Sequence, residues 1–303
     1  MYLHENREEF GKMVKAVSAE YNLPISTVEK DYYVTMILKL LAEKSGNCVF
    51  KGGTSLSKGF RILKRFSEDV DITFNEHLGE KRRKKLKHNI IKSISEELHL
   101  PITNWDMTQS DRDYNCYIFS YEPLDDSSSE SLFPGVRLET AMGSYAFPVE
   151  IREIGSYIGQ FLRDCGEGLE TKYGLRPFKM QLQSIERTYI DKVFALCDYF
   201  LQGKAKRYSR HMYDIFVLTP YIAFDENFRE LVAEVRNHRA QMKICPSAKG
   251  ETDISGLIRQ ICATGFYKSD YEKVTSFFVE SPVAYENAAA QLLALADSEI
   301  FRI

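Results

Sequence analysis

The sequence predicts an α+β protein, with a mixed sheet domain flanked by helices at residues 1–155 and a mostly helical domain at residues 156–303. Three observations support this class. Short β-forming runs gather between residues 48 and 154. Beyond about residue 156 the strand signals fade, and helical periods continue to the end of the chain. The length of 303 residues is about twice the usual domain size, which leaves room for two cores.

Helices are predicted on both sides of the first strands. Apolar residues recur at helical spacing within residues 5–20 and again within residues 32–41, so two amphipathic helices come before any strand. A basic helix is predicted at residues 81–98, where Leu86, Ile90, Ile94 and Leu98 recur every four positions. This spacing makes the lysines and arginines of that segment the outer face.

The strand candidates are short runs bounded by turn residues. They cover residues 48–50, 70–74, 114–121, 135–142 and 145–151, with a further apolar piece at 178–182. A helix is expected between the first two, and a polar loop at 125–131 separates the third from the fourth. In the second domain we predict helices at about 184–203, 210–219, 226–241, 254–264, 268–280 and 283–301.

Composition excludes several classes of protein. With 44% hydrophobic residues, 27% charged residues and a net charge of -3, the chain has the composition of an ordinary soluble globular protein. Its apolar stretches are too short for a membrane helix, and the charged start MYLHENREEF lacks the apolar core of a signal peptide, so we expect a cytoplasmic protein. The six cysteines lie at no metal-ligand spacing, which predicts buried thiols in a reducing compartment.

Gly52 and Gly53 directly follow the first predicted strand. Paired glycines let the backbone come close to a phosphate, and the N–H groups of the following turn point towards the anion. A glycine pair after a strand is by itself more often only a turn. The glycine pair therefore indicates a phosphate site only in combination with other signals.

Acidic residues on the strands supply a second signal. Asp69 and Asp71 are two positions apart and so project from one face of their strand, where they repel each other unless a cation lies between them. Carboxylate oxygens in this arrangement suit Mg²⁺. Glu139, on a later strand, would complete a two-metal site, and Glu150 on the next strand is an alternative third carboxylate.

Together these elements resemble the polymerase-beta-type nucleotidyltransferase superfamily. Its members have the order strand, Gly-Gly, helix, strand with D-x-D, and a later strand with an acid; the glycines hold the triphosphate and the acids hold the metals. The resemblance implies a nucleotidyltransferase-type sheet domain. Fifteen residues separate Gly53 from Asp69, more than the common spacing, so the connecting helix is expected to be longer.

The segments KGGTSL and RFSEDVDI resemble, more narrowly, the AbiEii/AbiGii-type nucleotidyltransferase toxin family. Three further segments, VEKDYYVTMIL, IERTYIDKVFAL and RYSRHMYDIFVL, are similar to other motifs of the family, so the resemblance covers residues 28–220. It implies that the helical domain contributes Lys192 and Asp214 to the active-site cleft. His211 stands where many members have an acid, so no role is carried over to that position.

The resemblance implies a metal-dependent transfer of a nucleoside monophosphate from an NTP to an acceptor hydroxyl, with release of pyrophosphate. Lys192 is expected to supply positive charge to the triphosphate, and Asp214 to hold Lys192 or the acceptor. The catalytic prediction is Asp69, Asp71, Glu139, Lys192 and Asp214, with Mg²⁺ or Mn²⁺ on the first three. The predicted nucleotide contacts are Gly52, Gly53, Thr54, Ser55, Arg65, Ser67 and Lys192. From the residues alone, Lys192 beside Asp191, and Arg210 four residues before Asp214, are common helix-surface ion pairs.

The acceptor that the resemblance favours is the 3′ end of tRNA, with the chain acting as a toxin that blocks translation and has a cognate antitoxin. The sequence has two basic runs, residues 80–88 and 204–211. A charge run is usually a solvated face, but an RNA acceptor would bind to such a surface. We expect acceptor contacts from Lys204, Lys206, Arg207 and Arg210. The alternatives are a protein or small-molecule acceptor, or an NTP- or RNA-binding module without turnover.

Overall fold

The computed structural model describes residues 2–63, 65, 69–125, 133, 135–143, 145–166, 168–277, 279 and 281–302. The chain divides into two compact units. The sheet unit consists of Met1–Gly59 and Ser67–Leu182, and the helical unit consists of Phe60–Phe66 and Gln183–Ile303. A mixed sheet with flanking helices, together with a helical C-terminal part, confirms the predicted α+β class.

Six strands of the sheet unit form one mixed sheet in the order β3-β4-β2-β1-β6-β5. Their bounds are β1 Cys48–Lys51, β2 Asp69–Phe74, β3 Tyr114–Ser120, β4 Gly135–Ala141, β5 Val149–Ile154 and β6 Phe178–Gln183. Strand β1 runs antiparallel to β2 and parallel to β6, while β4 runs parallel to β2 and antiparallel to β3. Strands β2 and β4, which carry the predicted acids, are therefore direct neighbours.

The helices of the sheet unit are α1 Arg7–Tyr21, α2 Ile25–Lys44, α3 Gly52–Lys58, α4 Glu80–Lys85, α5 Lys92–Glu97, α6 Tyr157–Asp164 and α7 Leu169–Lys172. A π-helical turn, Leu86–Ile91, joins α4 to α5, so the predicted basic helix contains a wider turn in its middle. Short 3₁₀ helices lie at Leu3–Glu5 and Trp105–Met107. Helix α1 is capped at its start by Asn6, whose side chain accepts the Glu9 N–H, and is followed by Asn22 in the left-handed conformation.

The helical unit contains α8 Ile185–Leu201, α9 Arg210–Leu218, α10 Glu226–Ala240, α11 Ile254–Thr264, α12 Lys268–Lys273 and α13 Tyr285–Asp297. Short 3₁₀ helices occur at Thr219–Tyr221, Pro246–Ala248 and Thr275–Phe277. Helix α8 is capped by the Ser184 side chain, and its apolar face, which includes Val193 and Phe194, is fully buried. The predicted helix at 268–280 is in fact the short α12 followed by a 3₁₀ turn.

Two expectations about element boundaries were wrong. The connecting helix α3 is not longer than usual but ends at Lys58, and the extra residues of the connection, Phe60–Phe66, belong to the helical unit. The strand expected at 145–151 begins only at Val149, after Pro148, which has no N–H to donate to a sheet. The sheet unit includes residues up to Leu182, because β6 pairs with β1.

The cysteines form no disulfide. Only Cys48, Cys197 and Cys245 are buried as predicted, whereas Cys165 is exposed. Within the described part of the chain, no helix is both long and apolar enough to cross a membrane.

Three consecutive charged residues of α2 hold other parts of the sheet unit in place. The Glu29 carboxylate accepts the Leu124 N–H at 3.1 Å, and Lys30 Nζ donates to the Phe133 carbonyl at 2.7 Å, so they bind the two ends of the β3–β4 connection. Asp31 accepts from Lys58 at the end of α3 and, at 2.9 Å, from the Tyr157 N–H at the start of α6. The E-K-D segment therefore braces the fold around the sheet.

Glu29 provides a test of this brace. Burial raises the pKa of Glu29 to about 7, although the Leu124 N–H and Arg7 act in the opposite direction. A raised carboxyl pKa penalises the folded state above the ordinary glutamate pKa of about 4.3, and the penalty is complete above pH 7. Glu29→Gln retains an acceptor for Leu124 without this charge. We expect its melting temperature to exceed that of the wild type by a few degrees at pH 8 and to match it at about pH 4. A lower melting temperature at pH 8 would contradict this account.

Candidate active site

The carboxylates of β2 and β4 lie side by side on one face of the sheet. In the parallel pairing, Asp71 is opposite Glu139 and Asp69 is opposite Arg137. The alternate residues of β2, Val70 and Ile72, are fully buried, which places the aspartates on the other face. Neighbouring strands are about 4.8 Å apart. The register therefore brings Asp71 and Glu139 close together.

The same row continues across two further strands. On β1, Lys51 is opposite Asp71, and on β3, Cys116 is opposite Glu139. Glu150, the alternative third carboxylate, lies on β5 at the sheet edge, three positions from β2 in the strand order, and forms an ion pair with Arg152. Of the two candidates, the fold brings Glu139, and not Glu150, to the D-x-D strand.

The electrostatics of this row reflect crowded negative charge. Burial raises the pKa of Glu139 to about 7, and the charges of Asp71 and Asp69 act in the same direction, whereas a Tyr114 hydrogen bond and Lys51 oppose them. Asp69 Oδ1 is buried yet accepts no hydrogen bond from the described residues. Its salt-bridge partner, Arg137, is 3.8 Å away, beyond hydrogen-bonding distance. The row therefore has unused acceptor capacity and unrelieved repulsion.

These carboxylates fit a hard divalent cation. An ion would fill the free lone pairs of Asp69 and relieve the repulsion that raises the Glu139 pKa. Among the described residues, no three histidine, cysteine or acidic side chains converge into a complete metal site. The three predicted carboxylates therefore do not form a complete three-ligand group by themselves. Mg²⁺ usually takes one or two protein carboxylates and completes its shell with waters and substrate phosphates.

Gly52 begins the turn beside this row. Its φ of 79° is left-handed, and a Cβ there would lie 2.2 Å from Asp71 Oδ2, so only glycine lets the chain pass this close to the carboxylate. Thr54 and Ser55, which we predicted as nucleotide contacts, are buried. Their hydroxyls donate to the Asp69 and Gly52 carbonyl oxygens at 2.6 and 2.9 Å, so they fix the turn and the start of β2.

The helical unit holds a second, cationic cluster around Asp214. Arg65 donates through Nε and a terminal nitrogen to the two Asp214 oxygens at 2.6 and 2.7 Å. Lys192 Nζ donates to Asp214 Oδ2 at 2.6 Å. All three side chains are at most 7% exposed. Asp214 thus holds both cations in fixed positions.

The cluster is ionic despite its burial. Burial favours a raised pKa for Asp214, but Arg65 and Lys192 hold it well below its usual value. Burial lowers the pKa of Lys192, while Asp214 raises it. Because the two Arg65 bonds keep Asp214 anionic, the anion in turn favours the Lys192 ammonium.

A model of the family described as the AbiEii nucleotidyl transferase toxin of a type IV toxin–antitoxin system matches residues 38–297. The chain belongs to this family. The match confirms the predicted resemblance and indicates nucleotidyl transferase activity, a nucleotide substrate and a cognate antitoxin. No curated protein matches the chain.

The structure places the other predicted residues of this AbiEii family member as follows. Ser67 lies outside the described residues. Lys192 pairs with Asp214 and not with its chain neighbour Asp191, which instead binds Arg187 and Arg239. Among the described residues, Arg210 forms no ion pair with Asp214 although they are four residues apart. The expected surface pairs are therefore replaced by buried long-range ones.

Two residues of the carboxylate row had no role in the sequence prediction. Arg137, between Asp69 and Phe133, stacks its guanidinium 4.5 Å from the Phe133 ring centre. Tyr114 hydrogen-bonds Glu139. Alternation along β4 puts Arg137 on the same face as Glu139, and that signal was present in the sequence; the contact with Tyr114 needed the β3–β4 register.

Proposed function

We propose that this AbiEii family member is a metal-dependent nucleotidyltransferase that transfers an NMP from an NTP to the 3′-terminal hydroxyl of a tRNA. The observation that carries the proposal is the register of Asp71 with Glu139, next to the orphaned Asp69 oxygen and the close approach of Gly52. Asp69, Asp71 and Glu139 would hold Mg²⁺ or Mn²⁺. Bound there, the metal would lower the pKa of the attacking hydroxyl and neutralise the leaving oxygen.

In the proposed reaction the acceptor oxygen forms a bond to the α-phosphorus as the bond to the bridging oxygen breaks. Pyrophosphate leaves and the acceptor loses its proton. The Gly52 turn admits the phosphates close to the backbone. Lys192, fixed by Asp214, supplies positive charge to the triphosphate, as the family resemblance implies. Thr54 and Ser55 would support this arrangement by fixing the turn, because their hydroxyls donate to the Asp69 and Gly52 carbonyl oxygens.

The assignment of an RNA acceptor is supported by how the two basic runs use their charges. In the first, Arg82, Arg83, Lys84 and Lys87 are bound by Glu76, Asp113, Glu80 and the Thr108 carbonyl, respectively, and the exposed Lys81 and Lys85 complete its lysines and arginines. In the second, Lys204 contacts only the Gln202 amide, and no described carboxylate pairs with the side chains of Lys206, Arg207 or Arg210. The second run is therefore available to phosphates.

Reversal of this available charge should weaken acceptor binding. We expect the triple variant Lys204→Glu, Lys206→Glu, Arg207→Glu to bind tRNA more than about tenfold more weakly, because each lost phosphate contact removes counterion release. NTP affinity measured without RNA should change little. The matched control reverses Lys81 and Lys85, two exposed lysines of the first run, and should retain binding. Equal effects of both variants would contradict the assignment.

The decisive experiment for the proposed function incubates purified protein with total RNA and each α-labelled NTP in turn, with Mg²⁺ and with EDTA. A labelled tRNA band that requires Mg²⁺, together with released pyrophosphate, supports the proposal. Label on protein would instead support the protein-acceptor alternative. NTP binding without any labelled product or pyrophosphate would support a non-catalytic binding module.

A further inference from the structure

Three aromatic rings of the helical unit lie in nearly parallel planes. The Tyr199 and Tyr208 ring centres are 3.5 Å apart with planes 19° from parallel, and His211 lies 5.8 Å from Tyr199 at 8° and 6.4 Å from Tyr208 at 12°. All three residues are of intermediate exposure, although the Nδ1 atom of His211 is buried. We call these residues the aromatic stack. The neighbouring pair Phe200 and Phe266, by contrast, makes an edge-to-face contact.

The basic residues Lys204, Lys206, Arg207 and Arg210 lie in the chain between the members of the stack, and we call residues 204–210 the basic turn. Its side-chain charges have no carboxylate partners among the described residues, as noted above. Asp270 contacts this segment through other groups: it accepts the Arg207 backbone N–H at 3.0 Å and the Ser209 hydroxyl at 2.7 Å. Arg207 has a left-handed φ of 71°, so Asp270 fixes an unusual turn and leaves the cationic side chains outward.

The protonation states suit this surface to contact with bases. Burial raises the pKa of Tyr199 to about 12, so its phenol is neutral. Burial, together with the charges of Lys192 and Arg210, lowers the pKa of His211 well below its usual value, so this ring is neutral at pH 7. The rings of Tyr199 and His211 are therefore uncharged, and the turn beside them carries cations.

We propose that the aromatic stack and the basic turn together bind single-stranded RNA, with a base stacked on the rings and the flanking phosphates held by the cations. The proposal rests on the proposed function, because it states how the acceptor of that reaction is held. Exposed bases stack on aromatic side chains in single strands, whereas a duplex keeps its bases inside the helix. A protein that bound only duplex backbone would need the cations but not the rings.

The test measures binding by fluorescence anisotropy, with the full chain and no NTP. Three probes are compared: an RNA single strand of about eight nucleotides, the same backbone with abasic sites, and a hairpin duplex. The wild type should bind the ordinary strand at least about fivefold more tightly than the abasic strand. Tyr208→Leu, which keeps apolar bulk without a π-face, should lose this preference, and Tyr208→Phe should keep it. Tyr221→Ala, which removes an exposed tyrosine of the same unit outside the stack, should behave as wild type.

A second measurement needs no variant: a 2-aminopurine in the strand should lose fluorescence when the wild type binds, because the base stacks. Equal affinity for ordinary and abasic strands, or an unquenched 2-aminopurine in the bound strand, would overturn the inference. NMP transfer is assayed in parallel. If the protein binds RNA in a base-dependent way but transfers no NMP, the RNA site is supported and the proposed function is contradicted. If it transfers NMP but binds RNA independently of the bases, the proposed function is supported and the RNA site is contradicted.

Discussion

If Asp71 holds the proposed metal, its replacement by asparagine is expected to reduce nucleotidyl transfer by at least about a thousandfold, since loss of a metal ligand would remove several kcal/mol of transition-state stabilisation. The melting temperature should stay the same or rise. The reason is that Asp71 faces Glu139 across the strand pair and shares its face with Asp69, so the substitution relieves like-charge repulsion in the row. Asp69→Asn and Glu139→Gln should have similar effects on transfer.

The matched control for these variants is Glu150→Gln, which removes a carboxylate from the same sheet at its distant edge. It should retain wild-type transfer. The readouts are labelled-NMP transfer to RNA and thermal unfolding of each variant without nucleotide. Activity within tenfold of wild type in Asp71→Asn, with unchanged stability, would show that the carboxylate row binds no catalytic metal. If only Glu150→Gln were inactive, the third carboxylate would come from β5 and not from β4.

Local patterns were sufficient to predict the carboxylate face. The i, i+2 rule put Asp69 and Asp71 together, and alternation put Glu139 outward from its strand. The choice between Glu139 and Glu150 was open because it depends on strand order. The order places β4, and not β5, beside β2, and no spacing in the sequence encodes that pairing. Register across strands is set by long-range packing, which short-range periodicity does not report.

Local spacing did not predict the main partner of Asp214. Spacing alone pointed to Arg210 as its partner, one helical turn away. The partner is instead Arg65, 149 positions distant, because the connection between β1 and β2 leaves the sheet unit after Gly59 and enters the helical unit. The same excursion explains the long interval between Gly53 and Asp69, which we had attributed to a longer helix. The family resemblance predicted that Asp214 holds Lys192 or the acceptor, and the Lys192 contact is present. It did not predict the contact between Asp214 and Arg65.

Substitution of Asp214 by asparagine should destabilise the fold by about 3–5 kcal/mol, the usual cost of removing one partner from a buried ion pair. Asp214 is fully buried and accepts three hydrogen bonds, from Arg65 and Lys192. Without its charge, two buried cations face each other with no anion between them. Urea unfolding at pH 7, followed by tryptophan fluorescence or circular dichroism, measures the loss.

Lys192→Met is the informative comparison, because it removes one cation and leaves Asp214 bound twice by Arg65. It should cost less than about 2 kcal/mol, since an apolar side chain of similar volume often replaces a buried ion at little cost. Loss of transfer in this stable variant would separate the chemical role of Lys192 from its structural one. If Lys192→Met were as unstable as Asp214→Asn, loss of one cation would cost as much as loss of the shared anion, which would contradict this account.

The lowered pKa of Asp214 also predicts how its contribution to stability changes with pH. The folded-state pKa of Asp214 is lowered by Arg65 and Lys192, against the effect of burial, so its contribution to stability is complete above the ordinary aspartate pKa of about 3.9. It declines only as the pH falls below that value. The gap in unfolding free energy between wild type and Asp214→Asn should therefore be constant from pH 5 to pH 8 and narrow below about pH 4. A gap that widened in acid would mean that Asp214 is protonated in the fold and that Arg65 and Lys192 are not held by its charge.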